Sequence, residues 1–365
     1  MKTLKKLALL ITAFGVGQHA YAVEQSDFTI NGYFSFEYEK HMSGDEGGDP
    51  NGSFDMDLID LVINFQPTDQ LRISTDITWE HGTATEDSQG NAAVEYAFAE
   101  YSFSNAFRAR VGKMFVPFGI YNELHTAKPA TMTVKEPQTT NKNDKVGNDV
   151  RFYPRWMTGM AVTGDLVLMD NDFDYIVMIG NGDDPGDAED INFYEEDTNT
   201  HKSLTARARY WLTDDLRVGL SFYDDVSTQY DGDLGPTQVT SIGTEITYTT
   251  PSNTYLEFEY VQGTFEFDAD AGPGNDIDQD RAGWTAMVSH PVTRTLTPYL
   301  RYEVLDPDDD VDDDDFNLTI AGVRYGFAKN AFLKLEIDRY ESDDNNAEFA
   351  GADFTEFKGS VAIGF

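Results

Sequence analysis

Leu71-Arg-Ile-Ser-Thr-Asp-Ile-Thr-Trp79 alternates between two kinds of side chain. Leu71, Ile73, Ile77 and Trp79 fall on one face, and Arg72, Ser74, Asp76 and Thr78 on the other. A period of two belongs to an extended strand whose two faces meet different surroundings. The rhythm recurs along the chain. Leu204, Ala206, Ala208 and Tyr210 oppose Thr205, Arg207 and Arg209, while Leu216, Val218, Leu220 and Phe222 oppose Arg217, Gly219 and Ser221. Leu256, Phe258 and Tyr260 oppose Tyr255, Glu257 and Glu259, and Leu333, Leu335 and Ile337 oppose Lys334, Glu336 and Asp338. A soluble β-sandwich alternates in the same way, so the pattern alone leaves the architecture open.

The connections separate the two. Short turns stand at Pro67–Gln70, Thr213–Asp215, Pro251–Asn253, Thr293–Thr295 and Ala328–Asn330. Long polar loops cover 40–52, 81–91, 116–150, 181–200, 226–236, 265–280, 306–315 and 342–352. Tight turns at one end and long loops at the other are the layout of a transmembrane β-barrel, whereas a sandwich has no reason to sort loops by length. The count is 16 antiparallel strands, eight external loops and seven turns, an even number that returns both termini to one side.

Both ends of the chain agree with that layout. Residues 1–22 begin with Lys2, Lys5 and Lys6, continue in an apolar run from Leu7 to Val16, and finish at Ala20-Tyr21-Ala22. That pattern predicts a secretory signal peptide cleaved before Val23, leaving 23–365 as one barrel domain. Its apolar run is too short to cross a bilayer, and no later stretch approaches the ~20 consecutive apolar residues of a membrane helix. Processing removes three lysines and no acid, so the formal charge falls from -39 to -42. At the other end, Phe357, Val361, Ile363 and Phe365 share one face, and the terminal Phe365 looks like the C-terminal signal read by the barrel assembly machinery of outer membranes. The expected location is therefore the outer membrane of a Gram-negative cell, with lipid around the strands.

Composition excludes several functions. With 65 acidic against 26 basic residues, the chain lacks the clustered positive charge that nucleic acid requires. The absence of cysteine removes disulfides, thiol chemistry and Cys zinc sites. Aromatics at 13% are too many for a disordered acidic tail.

Sixteen strands enclose a lumen too wide for side chains to fill, which predicts a water-filled channel. The longest loop, about Val116 to Asp149, follows the fifth strand. Val116, Phe118, Ile120, Tyr121, Leu124 and Met132 need burial and Pro117, Pro129 and Pro137 stiffen it, so it is expected to fold into the lumen. Arg110-Val-Gly-Lys-Met-Phe-Val-Pro-Phe-Gly-Ile-Tyr-Asn-Glu123 resembles the strand-to-loop segment of the phosphate-selective porin O/P superfamily, over about fourteen residues. The resemblance implies a homotrimeric, substrate-selective channel of 16 strands whose third loop enters the lumen. The superfamily's phosphate site depends on concentrated lysines and arginines, a cluster that this acidic chain does not display clearly.

The expected pore-lining residues follow from the alternation. Arg72, Arg108, Arg110, Arg207, Arg209 and Arg217 point inward from strands three, five, eight and nine, with Arg301 and Arg324 later. Lys113 and the loop residues Lys128, Lys135, Lys142 and Lys145 add to this basic side. Glu123 ends the resembling segment, and Glu100, Glu245, Glu257, Glu259, Glu303, Glu336 and Asp338 are the acidic candidates, mostly on later strands. Arg and Lys in a lumen favour anions, whereas a basic wall facing an acidic wall gives a transverse field. The plain alternative for each arginine is an interstrand ion pair.

Asp306–Asp315 holds eight Asp in ten positions, and Asp183, Asp184, Asp187, Glu189, Asp190, Glu195, Glu196 and Asp197 crowd the fourth loop. Neither run has EF-hand spacing, and Asp276, Asp278 and Asp280 are followed by Arg281 where that motif needs Gly. A solvated outer surface is their expected role, with no metal or cofactor. The expected function is thus passive diffusion of small hydrophilic solutes or ions, with anion selectivity as the arginines' expected effect, and not enzymatic. A scaffold or binding barrel is the first alternative. A membrane-embedded hydrolase is the second, although His41, His81, His125, His201 and His290 are scattered and no G-x-S-x-G or H-E-x-x-H occurs.

Overall fold

The computed structural model describes residues 27–45, 50–80, 92–124, 126–138, 140, 152–182, 200–226, 238–267, 277–346 and 351–365. The signal-peptide segment, Lys142, Lys145, His81, His125, the acidic run of the fourth loop and Asp276 lie outside them. Sixteen strands close into one barrel in which each pairs with its chain neighbours and β1 pairs with β16. They are β1 (Phe28–Gly44), β2 (Ser53–Phe65), β3 (Leu71–Glu80), β4 (Ala93–Ser104), β5 (Phe107–Phe115), β6 (Trp156–Leu168), β7 (Asn171–Gly180) and β8 (Ser203–Thr213). The second half comprises β9 (Leu216–Val226), β10 (Gln238–Thr249), β11 (Tyr255–Phe267), β12 (Ile277–Ser289), β13 (Leu296–Asp306), β14 (Phe316–Ala328), β15 (Ala331–Ser342) and β16 (Asp353–Gly364).

Strand number, direction and loop sorting agree with the sequence, but some boundaries do not. β1 runs to Gly44, β11 to Phe267, and β12 starts at Ile277, all inside stretches expected to be loop. Polar residues there continue the hydrogen-bonded ladder beyond the apolar alternation that marked the strands. The turns are as short as expected. Met169 and Asp170, both at positive φ, connect β6 and β7 with two residues, the backbone twist that suits a hairpin.

The burial pattern inverts that of a soluble sheet. On β3, Ser74, Asp76 and Thr78 are buried while Ile73 is exposed. Val111, Met160, Leu220, Ile242, Leu300 and Leu335 are likewise exposed on the outer face. Aromatics gather toward both ends of that face. Phe28 stacks on Phe65 and Phe103 contacts Tyr101 and Phe107 near the turns, while Tyr38 meets Phe54 and Phe357 near the loops.

Two irregularities place side chains that matter below. Ser35 pairs with Leu58 but Glu37 with Asp55, so β2 carries one extra residue and buries both Asp57 and Leu58. At the seam, Gly32 and Phe365 exchange backbone hydrogen bonds of 2.9 Å each way. A Cβ on Gly32 would sit 2.4 Å from the Phe365 ring and from the Asp60 carbonyl oxygen, so the closure requires glycine.

Candidate functional site

The described part of the connection between β5 and β6, residues 116–124, 126–138, 140 and 152–155, lies against the inward face of the barrel. Its groups bond to same-face residues of β3, β8, β11, β13 and β15, which only a segment inside the barrel can reach together. Its first elbow is the Pro-Phe-Gly segment. Phe118 is fully buried, stacks on Tyr153 at 4.1 Å and fills the space left by Gly243, where a Cβ would meet its ring at 2.5 Å. Gly119 turns the chain at φ +60°, and a Cβ there would lie 2.7 Å from the Glu259 carboxylate. The turn aims Gly119 O at Arg207 (3.3 Å) and Arg209 (2.9 Å), its N–H at Ser221 Oγ (3.1 Å), and Ile120 N–H at Glu259 (2.5 Å). A single turn of 3-10 helix, Asn122–Leu124, follows, with the Asn122 amide tied to the carbonyls of Val116 and Arg155. Tyr121 donates to Glu257, and Glu123 pairs with Arg207 at 2.5 Å. Burial alone would raise the Glu123 carboxyl, but the Arg207 and Arg209 guanidiniums outweigh it and hold it below the usual carboxylate range.

The second leg is clamped by charges on the opposite wall. Lys334 donates to Lys128 O, Thr131 Oγ1 and Thr133 O at 2.7–2.9 Å. Arg301 donates to Thr133 Oγ1, Lys135 O and Glu136 O and pairs with Glu303 at 2.6 Å. Glu336 and Glu303 accept from the N–H groups of Val134 and Gln138, and Arg324 donates to Pro129 O. Within the leg, Lys128 pairs with Glu136 (3.2 Å) and approaches Asp57, and Lys135 pairs with Glu37 (2.5 Å). Burial pulls both ammonium groups down, but Glu136 and Asp57 around Lys128, and Glu37 and Asp57 around Lys135, keep them protonated well above the usual range. Cations meet carbonyls and carboxylates meet N–H groups, so the wall charges satisfy a loop backbone that has no strand partner.

These contacts divide the lumen. On the clamped arc Arg301, Glu303 and Lys334 are wholly buried. Along β3 to β9 water still reaches side chains: Arg72 keeps 37% exposure, Arg108 and Arg110 19% each, and Arg217 22%. Of their carboxylate partners, Glu100 at 7% and Glu245 at 1% are sunk, while Asp165 beside Arg108 is 62% exposed. Glu100 lies between Arg72 and Arg110 in register and pairs with both; Arg108 reaches it at 4.0 Å and bonds Asp165 at 2.6 Å. Arg72 and Arg110 also cover the Phe98 ring, at 5.5 and 5.0 Å. Across the arc Arg209 and Arg217 share Glu245, and Asp174 pairs in register with Arg209.

Of the residues expected to line a pore, Arg72, Arg108, Arg110, Arg209, Arg217 and Glu123 keep part of their side chains exposed. Lys128, Arg207, Glu257 and Glu259 do not: all four are buried and hold the inner loop. Lys113 is on the wrong face. It pairs with Ala97, shares its side of β5 with exposed Val111, and lies over the Trp156 ring at 4.9 Å. Basic and acidic residues are interleaved instead of forming opposed walls, because each inward arginine has a carboxylate or loop carbonyl within reach. Sequence reasoning passed over Glu37, Asp57 and Lys358, which are buried on the inward face of β1, β2 and β16. Lys358 bonds Tyr340 and pairs with Asp338 at 3.1 Å.

In the β13–β14 loop the carboxylates of Asp306, Asp314 and Asp315 come within 4.8 Å of one another, as do those of Asp308, Asp309 and Asp310. Partial burial, then Asp306 and Asp315 beside it, push the Asp314 carboxyl up to about 6. His201 faces Asp224 at 3.7 Å and His290 Nδ1 lies 2.9 Å from the Thr254 hydroxyl, and neither lines up a serine, a histidine and an acid.

No protein-family model matches the chain. Over 126 residues it is 32% identical to an uncharacterized protein of Aquifex aeolicus (strain VF5), a match covering 34% of this chain and 28% of that relative's length. Among solved structures, the anion-selective porin from Comamonas acidovorans aligns over 93% of this chain and 99% of its own, with a TM-score of 0.60 at 13% identity. The outer membrane channel DcaP of Acinetobacter baumannii aligns over 95% and 100%, at 0.61 and 12%. Salmonella typhi OmpF, solved with daunomycin, aligns over 93% and 97%, at 0.63 and 14%. The chain thus has the fold of outer-membrane porins.

Proposed function

We propose that the protein is an outer-membrane pore through which small hydrophilic solutes and ions diffuse passively, with a preference for anions. The observation that carries this reading is the inward face along β3 to β9, where the guanidinium groups of Arg72, Arg110 and Arg217 meet water and their carboxylates Glu100 and Glu245 are sunk beneath them. Around Glu100 three arginines face two acids, Glu100 and Asp165, which leaves one net positive charge. Around Arg207, Arg209 and Arg217 the acids Glu123, Glu245 and Asp174 balance the charge. The anion preference therefore belongs to Arg72, Arg108 and Arg110. The rest of the long loop supplies the constriction, and its clamps keep it from blocking the whole lumen.

An exposed apolar outer face between two aromatic zones supports residence in a bilayer. The same reading has residues 1–22 removed on export, Phe365 presented to the assembly machinery, and three copies associating. The Arg110–Glu123 segment supports kinship with the phosphate-selective O/P superfamily, but the arginine pattern fits small anions generally better than phosphate alone. Liposome swelling tests the pore: vesicles containing the protein should swell in isotonic solutions of small sugars. Vesicles that behave like protein-free ones would overturn it in favour of a scaffold barrel.

A further inference from the structure

One inward patch of the barrel is built for a ligand that none of the loop clamps supplies. Tyr33 of β1, Asp60 of β2 and Thr78 of β3 lie side by side in register, and Asp76 and Tyr96 occupy the neighbouring row. Asp60 is wholly buried, and the hydrogen bond set against its carboxylate comes from the Thr78 hydroxyl beside it. That hydroxyl is 1% exposed. Asp76 Oδ2 accepts from Thr126 of the inner loop at 3.0 Å, which roofs the patch. The charges acting most strongly on Asp60 are all acidic, namely Asp76, Glu95 and Glu80. Among the described residues no lysine or arginine pairs with it. The contrast with Glu37, Glu100, Glu245 and Glu303, each paired with a lysine or arginine, is sharp.

Burying a carboxylate without a counter-charge is costly, and hydrogen bonds from water would leave the charge itself unbalanced. From this geometry we infer that Asp60, Asp76 and the Thr78 hydroxyl form a site for a hard cation, best matched by calcium. The donors are all oxygen, two of them carboxylate groups, and no nitrogen or sulfur ligand stands among them. Calcium tolerates the irregular directions that adjacent strand positions impose, whereas magnesium demands a near-ideal octahedron. Diagonal neighbours on paired strands are roughly 7–8 Å apart at the backbone, close enough for both carboxylates to reach one ion. Such an ion would also fix Asp76 beneath Thr126 and so brace the start of the loop's second leg.

The test uses the folded full-length barrel in detergent, stripped with chelator and then titrated with calcium alone. Acidic outer loops are common to wild type and variants, so the difference between them isolates the patch. Wild type should bind one more calcium per chain than D60N, and calcium should raise the wild-type unfolding temperature more than that of D60N. Equal stoichiometry and equal stabilisation would show that Asp60 carries a proton instead and would overturn the site. Should D60N fail to fold, T78V keeps the volume and removes only the hydroxyl. Its calcium affinity at the patch should fall about tenfold, and an unchanged affinity would equally overturn the assignment.

Discussion

Gly119 shows how much of the inner loop depends on one backbone position. At φ +60° with the Glu259 carboxylate 2.7 Å from where a Cβ would lie, Gly119→Ala is strained and crowded at once. Its cost should be about 1–3 kcal/mol. The change should appear as a lower unfolding temperature and noisier single-channel current, because the carbonyl held by Arg207 and Arg209 shifts with the turn. Glu100 is the matching test of charge. Glu100→Gln removes a sunk carboxylate from beneath three guanidiniums, so the anion-to-cation permeability ratio should rise. An unchanged ratio would mean that ions do not pass the Arg72 and Arg110 pair. Asp314 gives a pH dependence of unusual sign. Its carboxyl is raised to about 6, so the folded loop favours the protonated form. Stability from this group is present at low pH and is lost as pH rises through 6. Amide exchange in residues 307–315 should therefore be slower, after correction for intrinsic rates, at pH 5 than at pH 7.5, and D314N should flatten the difference.

At the scale of the element, the loop is held more by wall charges than by apolar packing along its second leg. Arg301→Ala would strand Glu303 in a buried position, a loss of about 3–5 kcal/mol. Lys334→Ala would remove three hydrogen bonds to the loop at once. Both should speed amide exchange in residues 128–138 while the sixteen-stranded spectrum persists; unchanged exchange would mean that packing alone holds the leg. That the long connection packs against the barrel was legible, because Phe118, Tyr121 and three prolines do not suit a solvated flap. Its partners were not, since alternation tells which face a residue occupies and not what meets it there. Glu257 and Glu259 are buried and bond the loop, not the water. Lys113 failed for a local reason: the run Arg110-Val-Gly-Lys breaks the apolar alternation, and only the pairing with Ala97 shows its outward side. The bulge that buries Asp57 shows in the sequence only as a one-residue slip of the alternation between Asp57 and Asp60.

For the whole molecule, closure was the most legible feature, because alternation, loop sorting and terminal Phe365 all pointed to it. The seam still adds a requirement that pattern could not show, the contact of the Phe365 ring with Gly32. Gly32→Ala should impair refolding into detergent more than the same change at Gly326, where a Cβ meets nothing closer than 3.6 Å. The charge of -39 is likewise resolved by position. By chain position the acidic runs fall in the long connections, while Arg72, Arg108, Arg110 and Arg217 keep part of their side chains exposed on the inward face. The most direct test of that arrangement is the reversal potential of single channels under a salt gradient, for wild type and for R108A/R110A. Discrete conductance steps with an anion-sided reversal potential, moving toward zero in the double variant, are the expected result. A wild-type barrel that passes no current, or a reversal potential indifferent to both arginines, would contradict it.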